Sequence, residues 1–319
     1  MTRSNSGTNR RRALVASILL ATGAGAAGAA TTEPTGVAAE DCARLANSAL
    51  AAPAWYAEGC RGHYPEAVIL PVATGGEPAP NVIGDTTYQH DLRAAPNTFE
   101  SFALPNAATS TVIGTQAEDY FALEHDNATG VLWAIRNAPL PLALGQINKT
   151  TGAFTAGPTV TGLQGTQNIT GLAFVNSSST FYVSGADGTV STLYSLNPTT
   201  GALTVIGQTG TTLMIDIALN NAGVMYGHDI GTDSIYTINT ATGAATLIGP
   251  TGIPANFAQS IDVDKSTGVL YGWVYQGAGV NQFVSFNLTS GAATALATPT
   301  NKEYEGATVP VELQSFSVD

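Results

Sequence analysis

Three carboxylates occupy small or polar positions of short apolar segments that recur along the chain: Glu124, Asp216 and Asp262. Carboxylate oxygens are hard ligands, and Ca²⁺ takes about six to eight oxygens. If the segments converge, these side chains could together hold Ca²⁺. The alternative is that the positions are small or polar because several strands crowd together, with the carboxylates facing water. The sequence leaves both interpretations open.

Three aromatic residues that break the regular pattern are candidates for ligand contacts: Trp273, Tyr275 and Tyr304. Tyrosine and tryptophan combine a large apolar ring with a polar group and are frequent in binding sites. An aromatic residue at one fixed position of every repeat instead predicts packing between neighbouring repeats. The residues of that second kind are Trp133, Tyr182, Tyr226 and Tyr271.

Other catalytic chemistry finds little support in the sequence. The histidines are scattered, and no Gly-x-Ser-x-Gly motif is present for a nucleophilic serine. No His-x-x-x-His or Cys-x-x-Cys spacing is available for zinc. The remaining enzymatic hypothesis is therefore one that depends on the three carboxylates.

The elements that position these residues come from an internal repeat. Four times the chain has an apolar-alternating strand, an Asn, a Thr-Gly or Ser-Gly turn and a second short strand; the turn glycines are Gly152, Gly201, Gly243 and Gly291. Each unit also begins with an alternating strand and continues with one that carries an aromatic residue. Four short strands in about 40–50 residues are typical of one β-propeller blade.

The two ends of the repeat region complement each other. Residues 315–319 are a fifth copy of the first strand, and residues 99–114 match the outer half of a unit. Both ends are therefore expected to share one blade, which removes a pair of exposed sheet edges. We predict an all-β propeller of about five four-stranded blades, with residues 88–93 as a candidate for the missing second strand. Six blades remain an alternative if residues 66–93 contribute more.

The clearest units, residues 193–207 and 235–249, read close to Leu-Tyr-x-Ile-Asn-x-x-Thr-Gly-x-x-Thr-x-Ile-Gly. In this motif the chain resembles secreted bacterial β-propeller repeat proteins, including families of unknown function, over residues 99–319. The resemblance implies the fold. It implies no single chemistry, because similar blades occur in lactonases, streptogramin lyases, quinoprotein dehydrogenases and binding scaffolds.

The first 30 residues have a basic start, a short apolar stretch and a small-residue tail, which predicts a secretory signal peptide. Residues 31–98 are expected to form a helical and coil extension with a linker, ahead of the propeller domain at 99–319. In an oxidising compartment, Cys42 and Cys60 are predicted to form a disulfide. We therefore expect the protein to be secreted or periplasmic.

Charge and hydropathy limit the kinds of partner that we expect for this chain. Residues 1–30 contain four of the 11 basic residues and none of the 23 acidic ones, so the rest of the chain carries a formal charge of −16. Nucleic acid is excluded as an expected partner because phosphate binding needs clustered Lys and Arg. No transmembrane segment is expected after signal cleavage, because no later apolar run is long enough.

Three functions are consistent with these features. The first is a non-catalytic binding module at the cell surface, with a protein or polysaccharide ligand and no cofactor. The second is a metal-dependent enzyme of the lactonase or lyase type with Ca²⁺ in the channel. The third is a structural or adhesive module of the cell surface.

Overall fold

The computed structural model describes residues 86–104, 109–175, 180–256, 259–265 and 267–308. Within these ranges the secondary structure consists of twenty β-strands and no helix. The strands are β1 (Thr86–Asp91), β2 (Asn97–Ala103), β3 (Thr111–Gln116), β4 (Asp119–Asp126), β5 (Val131–Ala138), β6 (Ala143–Ile147), β7 (Phe154–Thr159), β8 (Asn168–Val175), β9 (Thr180–Ala186), β10 (Ser191–Leu196), β11 (Leu203–Gln208), β12 (Met214–Leu219), β13 (Met225–Asp229), β14 (Ser234–Ile238), β15 (Ala245–Pro250), β16 (Gln259–Val263), β17 (Leu270–Gly277), β18 (Val280–Phe286), β19 (Ala293–Ala297) and β20 (Tyr304–Thr308).

The strands form five antiparallel sheets of four strands each. Blades 1 to 4 are β4–β7, β8–β11, β12–β15 and β16–β19, and the closing blade has the order β20-β1-β2-β3. In blades 1 to 4 the innermost strand is the first in sequence, and in the closing blade it is β20. These five inner strands contact one another in a ring, from β20 through β4, β8, β12 and β16 back to β20. The predicted five-bladed propeller is confirmed.

The closing blade joins the two ends of the described chain. Strand β20 pairs with β1, with Tyr304 opposite Asp91 and Thr308 opposite Tyr88. The candidate second strand at residues 88–93 is thus real, although it begins at Thr86. The inner position is filled by Tyr304–Thr308, whereas residues 315–319, predicted for that position, lie outside the described residues.

Burial falls from the axis to the rim of each blade. All eight residues of β4 are buried, whereas the outer strand β7 has mostly exposed or half-buried residues. An inner strand is covered by neighbouring blades on both faces, so most of its residues are buried and can be apolar or small. Outer strands face water on one edge and carry Thr at many positions.

The Asn-Thr-Gly turns are held by their own side chains. Asn239 Oδ1 accepts hydrogen bonds from the N–H groups of Ala241 at 2.9 Å and Thr242 at 3.1 Å. Gly243 follows with a φ of 79°, which favours glycine. The same Asn contacts occur at Asn148, Asn197 and Asn287.

The two glycines of the repeat motif pack against each other across blade boundaries. A Cβ built on Gly243 of blade 3 would lie 2.5 Å from the carbonyl oxygen of Gly207 in blade 2. Gly291 of blade 4 has the same relation to Gly249 of blade 3, at 2.1 Å. The backbones therefore approach more closely than any side chain would permit.

The recurring aromatic residues lie between blades, as expected. Trp133 of blade 1 packs edge-on against Phe181 of blade 2, with ring centroids 5.3 Å apart. Tyr226 of blade 3 shares a core cluster with Phe286 of blade 4. The residues at this position thus hold neighbouring sheets together.

Several predictions concern residues outside the described ranges: the signal peptide at 1–30, the disulfide between Cys42 and Cys60, and the predicted extension at 31–98 as far as residue 85. The remainder of that extension contains β1 and the start of β2. Within the described ranges, no helix has the length and apolar character needed to cross a lipid bilayer.

Candidate functional site

The inner strands carry two layers of side chains around the axis. One layer contains Glu124, Asp262 and Thr308, which lie opposite Trp133, Tyr271 and Tyr88 of the second strands. The other layer lies nearer the start of each inner strand and contains Asp216, Ser260 and Glu305, which lie opposite His228, Trp273 and His90. The three carboxylates predicted from the sequence lie close enough together for their charges to interact, and Glu305 interacts with Asp216 in the same way.

Glu124 is paired with a lysine from the other side of β20. Lys265 follows β16, and its Nζ lies 2.7 Å from Glu124 Oε1 of β4. Strands β16 and β4 are not neighbours in the ring, because β20 stands between them. The ion pair therefore links the end of β16 to a strand that is not its neighbour, and both side chains are buried, with exposures of 8% for Lys265 and 2% for Glu124.

Burial governs the protonation of this pair. It raises the pKa of Glu124 to about 8, against the opposing charge of Lys265 and with a contribution from Asp262. Burial alone lowers the pKa of Lys265, but Glu124 and Asp262 raise it above its usual value. The lysine is therefore a cation at neutral pH, and the 2.7 Å contact is a charge-assisted hydrogen bond.

Asp216 joins two inner strands through backbone N–H groups. Its Oδ2 accepts from Ile261 N in β16 at 2.8 Å, and its Oδ1 accepts from Ile217 N at 2.8 Å. A Cβ on Gly171 of β8 would lie 2.5 Å from Asp216 Oδ1, so the carboxyl also fills space beside that glycine. Burial raises the pKa of Asp216 well above its usual value, and the charges of Asp262 and Glu124 add to the rise.

Glu305 is a buried carboxyl that the sequence analysis did not select. Its Oε2 has no hydrogen-bond partner among the described residues. Burial raises its pKa well above the usual value, and the nearby charges of Asp119, Glu303 and Asp216 contribute. Because β20 does not match the repeat pattern of the other inner strands, its sequence offered no signal for this position.

The geometry can be compared with the calcium hypothesis. Asp262 Oδ1 accepts a hydrogen bond from Val263 N at 2.7 Å, and Glu124 and Asp216 have the contacts described above. Within the described part of the chain, no group of three or more His, Cys, Asp or Glu side chains is arranged around a common metal position. Calcium at Glu124, Asp216 and Asp262 stays a prediction, and a lysine ammonium supplies the positive charge among them.

The three aromatic residues chosen as ligand contacts are buried. Trp273 and Tyr275 have 0% exposure and Tyr304 has 1%. Trp273 lies 4.6 Å from Tyr304 and 5.3 Å from Phe102, measured between ring centroids. These side chains fill the contact between blade 4 and the closing blade, which we call the closure seam, and they do not form an exposed surface.

Polar contacts link the strands of the closing blade beside the closure seam, and one hydrogen bond crosses the seam to blade 4. Lys302 Nζ lies 2.6 Å from Glu100 and 2.9 Å from Asp91. Tyr304 donates to Glu100 at 2.8 Å. Burial by itself raises the pKa of Glu100, but hydrogen bonds led by that from Lys302 outweigh it and lower the pKa. At the same seam, Arg93 donates to Tyr275 at 3.4 Å.

The imidazole of His125 contacts an amide and an ammonium group, neither of which is a nucleophile that it could activate as a base. His125 Nδ1 lies 2.8 Å from Asn127, and Lys149 Nζ lies 3.2 Å from its Nε2. Burial lowers the pKa of His125 to about 4, and burial also lowers that of His228 to about 4. Both rings are therefore neutral at physiological pH.

The family described as a repeat of unknown function, DUF6923, matches residues 98–259, about half of the chain. This chain belongs to the DUF6923 family. The match begins in β2 and ends at the first residue of β16. Lys265, Trp273 and Glu305 thus lie beyond the part of this DUF6923 protein that the family match covers.

No curated protein matches this DUF6923 protein by sequence. Among solved structures it is similar to a chain in the nidogen/laminin complex, with a TM-score of 0.50 and 11% identity over 72% of this chain and 100% of that one. It is also similar to TolB from Acinetobacter baumannii, with a TM-score of 0.43 and 12% identity over 68% and 53% of the two chains. Aldose sugar dehydrogenase from Streptomyces coelicolor gives a TM-score of 0.42 and 12% identity over 59% and 70%. The similarity to the chain of the nidogen/laminin complex shows the fold alone.

Proposed function

We propose that this DUF6923 propeller is a secreted or periplasmic, non-catalytic binding module whose outer surface contacts a protein at the cell envelope. The arrangement of the axis supports this proposal. Glu124 is paired with Lys265, and Asp216 accepts two backbone N–H groups. These groups contribute to holding the inner strands together, which leaves the surface as the part available to a partner.

The observation that carries the proposal is a fixed loop that exposes a leucine. Leu140, between β5 and β6, is 71% exposed, the highest value among the large exposed apolar residues described. Pro139 and Pro141 flank it, and Arg136 donates to the carbonyl oxygen of Pro141 at 3.1 Å. A single exposed apolar residue is common. A restrained one loses less conformational entropy on binding, which favours its use as an anchor.

Binding of the purified protein to isolated envelopes of the cells that produce it tests this function. The envelopes would be used before and after protease treatment, in parallel with purified wall polysaccharide. Leu140→Ser is expected to weaken binding by about tenfold, which corresponds to an anchor residue at an interface. Leu247→Ser is the matched control, because Leu247 is 56% exposed but lies on the outer strand β15.

The outcomes separate the possibilities. Protease-sensitive binding that is lost in Leu140→Ser and kept in Leu247→Ser supports a protein partner at this loop. Protease-resistant binding, or binding to polysaccharide, points to a glycan ligand. No saturable binding to either preparation contradicts the proposed function.

The proposed location has its own test. The mature protein should appear in the secreted or periplasmic fraction with an amino terminus near residue 30. Its intact mass should be about 2 Da below that of the reduced form if Cys42 and Cys60 are bonded. Retention of the basic amino terminus in the cytoplasmic fraction would contradict export.

One observation favours the enzymatic alternative of a metal-dependent lactonase or lyase. Glu124, Asp216 and Asp262 are close enough for their charges to influence one another's pKa. If Ca²⁺ displaces Lys265 from Glu124, calcium should raise the melting temperature and chelation should lower it. Calorimetric titration with Ca²⁺ would decide, since no heat of binding would remove this alternative.

A further inference from the structure

A small cavity lies inside the closure seam, between blade 4 and the closing blade. Its apolar walls include Phe102 of β2 and Phe283 of β18, and its polar walls include Ser260, Trp273 and Thr308. Ser260 is on the inner strand β16, and Thr308 is on the inner strand β20. The cavity therefore touches both strands that meet at the seam.

The polar atoms on this wall lack partners. Ser260 Oγ, Trp273 Nε1 and Thr308 Oγ1 are all buried without a hydrogen-bond partner among the described residues. Each of these residues has 0% exposure. Leaving a buried donor or acceptor unsatisfied costs roughly 1–3 kcal/mol. Three such atoms around one cavity are therefore unfavourable unless something inside it bonds to them.

The size of the cavity limits what fits. The space open to the centre of a water molecule is about 10 Å³. One water molecule requires about 10–15 Å³ of such space and about two to four polar partners. The cavity thus has room for one water molecule and excludes an organic ligand.

The chemistry of the wall also excludes a metal ion. An indole N–H only donates, so Trp273 would direct a positive hydrogen at a bound cation. A water molecule accepts from the indole and exchanges hydrogen bonds with the two hydroxyls, which can donate or accept. Asp262 also lines the cavity and offers a carboxylate acceptor.

We propose that one ordered water molecule occupies this cavity and bridges Trp273 Nε1, Ser260 Oγ and Thr308 Oγ1. This water links β16 and β17 of blade 4 to β20 of the closing blade. The blade boundaries at Gly207–Gly243 and Gly249–Gly291 have close backbone contacts. At the closure seam, this water adds a bridge between inner strands, independently of the function proposed above.

The indole proton of Trp273 reports on the water directly. In ¹⁵N-labelled protein, the Trp273 indole resonance is assigned by its loss in Trp273→Phe. A long-lived water is expected to give a cross-peak with this indole proton in nuclear Overhauser spectra. A folded protein without that cross-peak would overturn the proposal.

Two near-isosteric substitutions provide an independent measurement, because hydration determines the sign of their effect. If the water is present, Ser260→Ala and Thr308→Val each remove one of its partners and lower the melting temperature by about 2–4 °C. Their combined effect should be smaller than the sum, because both act on the same water. If the cavity is dry, each substitution removes an unsatisfied polar atom and raises the melting temperature, which contradicts the proposal.

Thr294→Val is the matched control for these substitutions. Thr294 is exposed on the outer strand β19, away from the cavity. Its melting temperature should stay within about 1 °C of the parent protein, because surface substitutions have small effects. Equal shifts in all three variants would show a general response to loss of a hydroxyl and would overturn the proposal.

Discussion

At the scale of single residues, Lys265 brings a positive charge among buried carboxylates. Replacing it with methionine removes the hydrogen bond to Glu124. Because burial already raises the pKa of Glu124 to about 8, the carboxyl can take up a proton at pH 7, and the cost is that of a lost buried hydrogen bond, about 1–3 kcal/mol. We expect Lys265→Met to lower the free energy of unfolding by that amount, as measured by urea denaturation at pH 7.

The double variant Lys265→Met/Glu124→Gln is the control for this prediction. It removes both charges and should recover most of the lost stability, because replacing a buried pair by neutral groups is often near neutral. An unchanged unfolding free energy in Lys265→Met alone would show that the ion pair contributes nothing to the fold.

The buried carboxyl of Glu305 is expected to make the stability of the protein depend on pH. Burial raises its folded pKa well above the usual value of about 4.5. A carboxyl of this kind contributes stability below its unfolded pKa, and that contribution is lost as pH rises through the folded pKa. Glu305→Gln should therefore have little effect near pH 4.5 and should stabilise the protein by at least about 1 kcal/mol at pH 8. Urea titrations at both pH values measure the difference.

The contribution of Asp187 to stability is expected to depend on pH in the opposite direction to that of Glu305. Burial by itself raises the pKa of Asp187, but hydrogen bonds from Thr189 and neighbouring groups outweigh this effect and lower the pKa. Its contribution is present above the unfolded pKa and is lost as pH falls through the folded pKa. Asp187→Asn should therefore destabilise the protein at pH 8 and not stabilise it. If Glu305→Gln and Asp187→Asn changed stability in the same way at both pH values, the pH dependence could not be assigned to these two carboxyl groups.

At the scale of the element, the blade boundary depends on paired glycines. Gly243 has a φ of 79° and faces the carbonyl oxygen of Gly207. Gly243→Ala introduces both backbone strain and an atom without room, and the second effect alone typically costs about 1–3 kcal/mol. We expect a correspondingly lower free energy of unfolding in urea.

Gly223→Ala separates the two effects. Gly223 has a φ of 78°, but no atom lies within 4 Å of its added Cβ. This variant should show only the cost of the left-handed conformation, about 1–2 kcal/mol. Equal losses in the two variants would mean that the close approach of the blades is not a constraint on residue type.

At the scale of the whole molecule, the ring is closed by pairing β1 with β20. These strands are more than 200 residues apart in sequence, since the first begins at Thr86 and the second at Tyr304. Such closure removes sheet edges that would otherwise be exposed. It also places Lys302 and Tyr304 against Glu100 of β2.

Removal of β1 tests this closure. A chain lacking residues 1–98 loses β1 and the start of β2, so β20 has no neighbouring strand within its blade. We expect this chain to lose cooperative thermal unfolding and to aggregate, as measured by calorimetry and light scattering. A chain lacking only residues 1–80 is the control and should unfold cooperatively. If both chains melt alike, β1 is not required for the ring.

Much of the fold could be predicted because its signals are local. The alternation of apolar residues in Met214–Leu219 and the Asn239 turn both depend on residues close in sequence. The repeated glycine spacing then indicated blades of similar size. The closing strand was different, because Tyr304–Thr308 departs from the repeat and is identified only by its pairing with β1.

The candidate site was less accessible to sequence reasoning. Trp273 and Tyr304 stood out because they break the repeat, and an irregular aromatic residue suits either a ligand surface or a special contact. Their contact across the closure seam shows that these two residues form a special packing contact between blades. Glu305 carried no comparable signal, because its burial depends on the ring and not on its neighbours in sequence.

The sequence by itself determined the strands, the turns and the repeated unit, because period-two alternation and Asn-Thr-Gly chemistry act within a few residues. Only the tertiary structure decided which charges meet. Lys265 and Glu124 are 141 residues apart and are brought together at 2.7 Å by the ring. Electrostatic energy and desolvation depend on distance in space, so no local pattern in the chain specifies that contact.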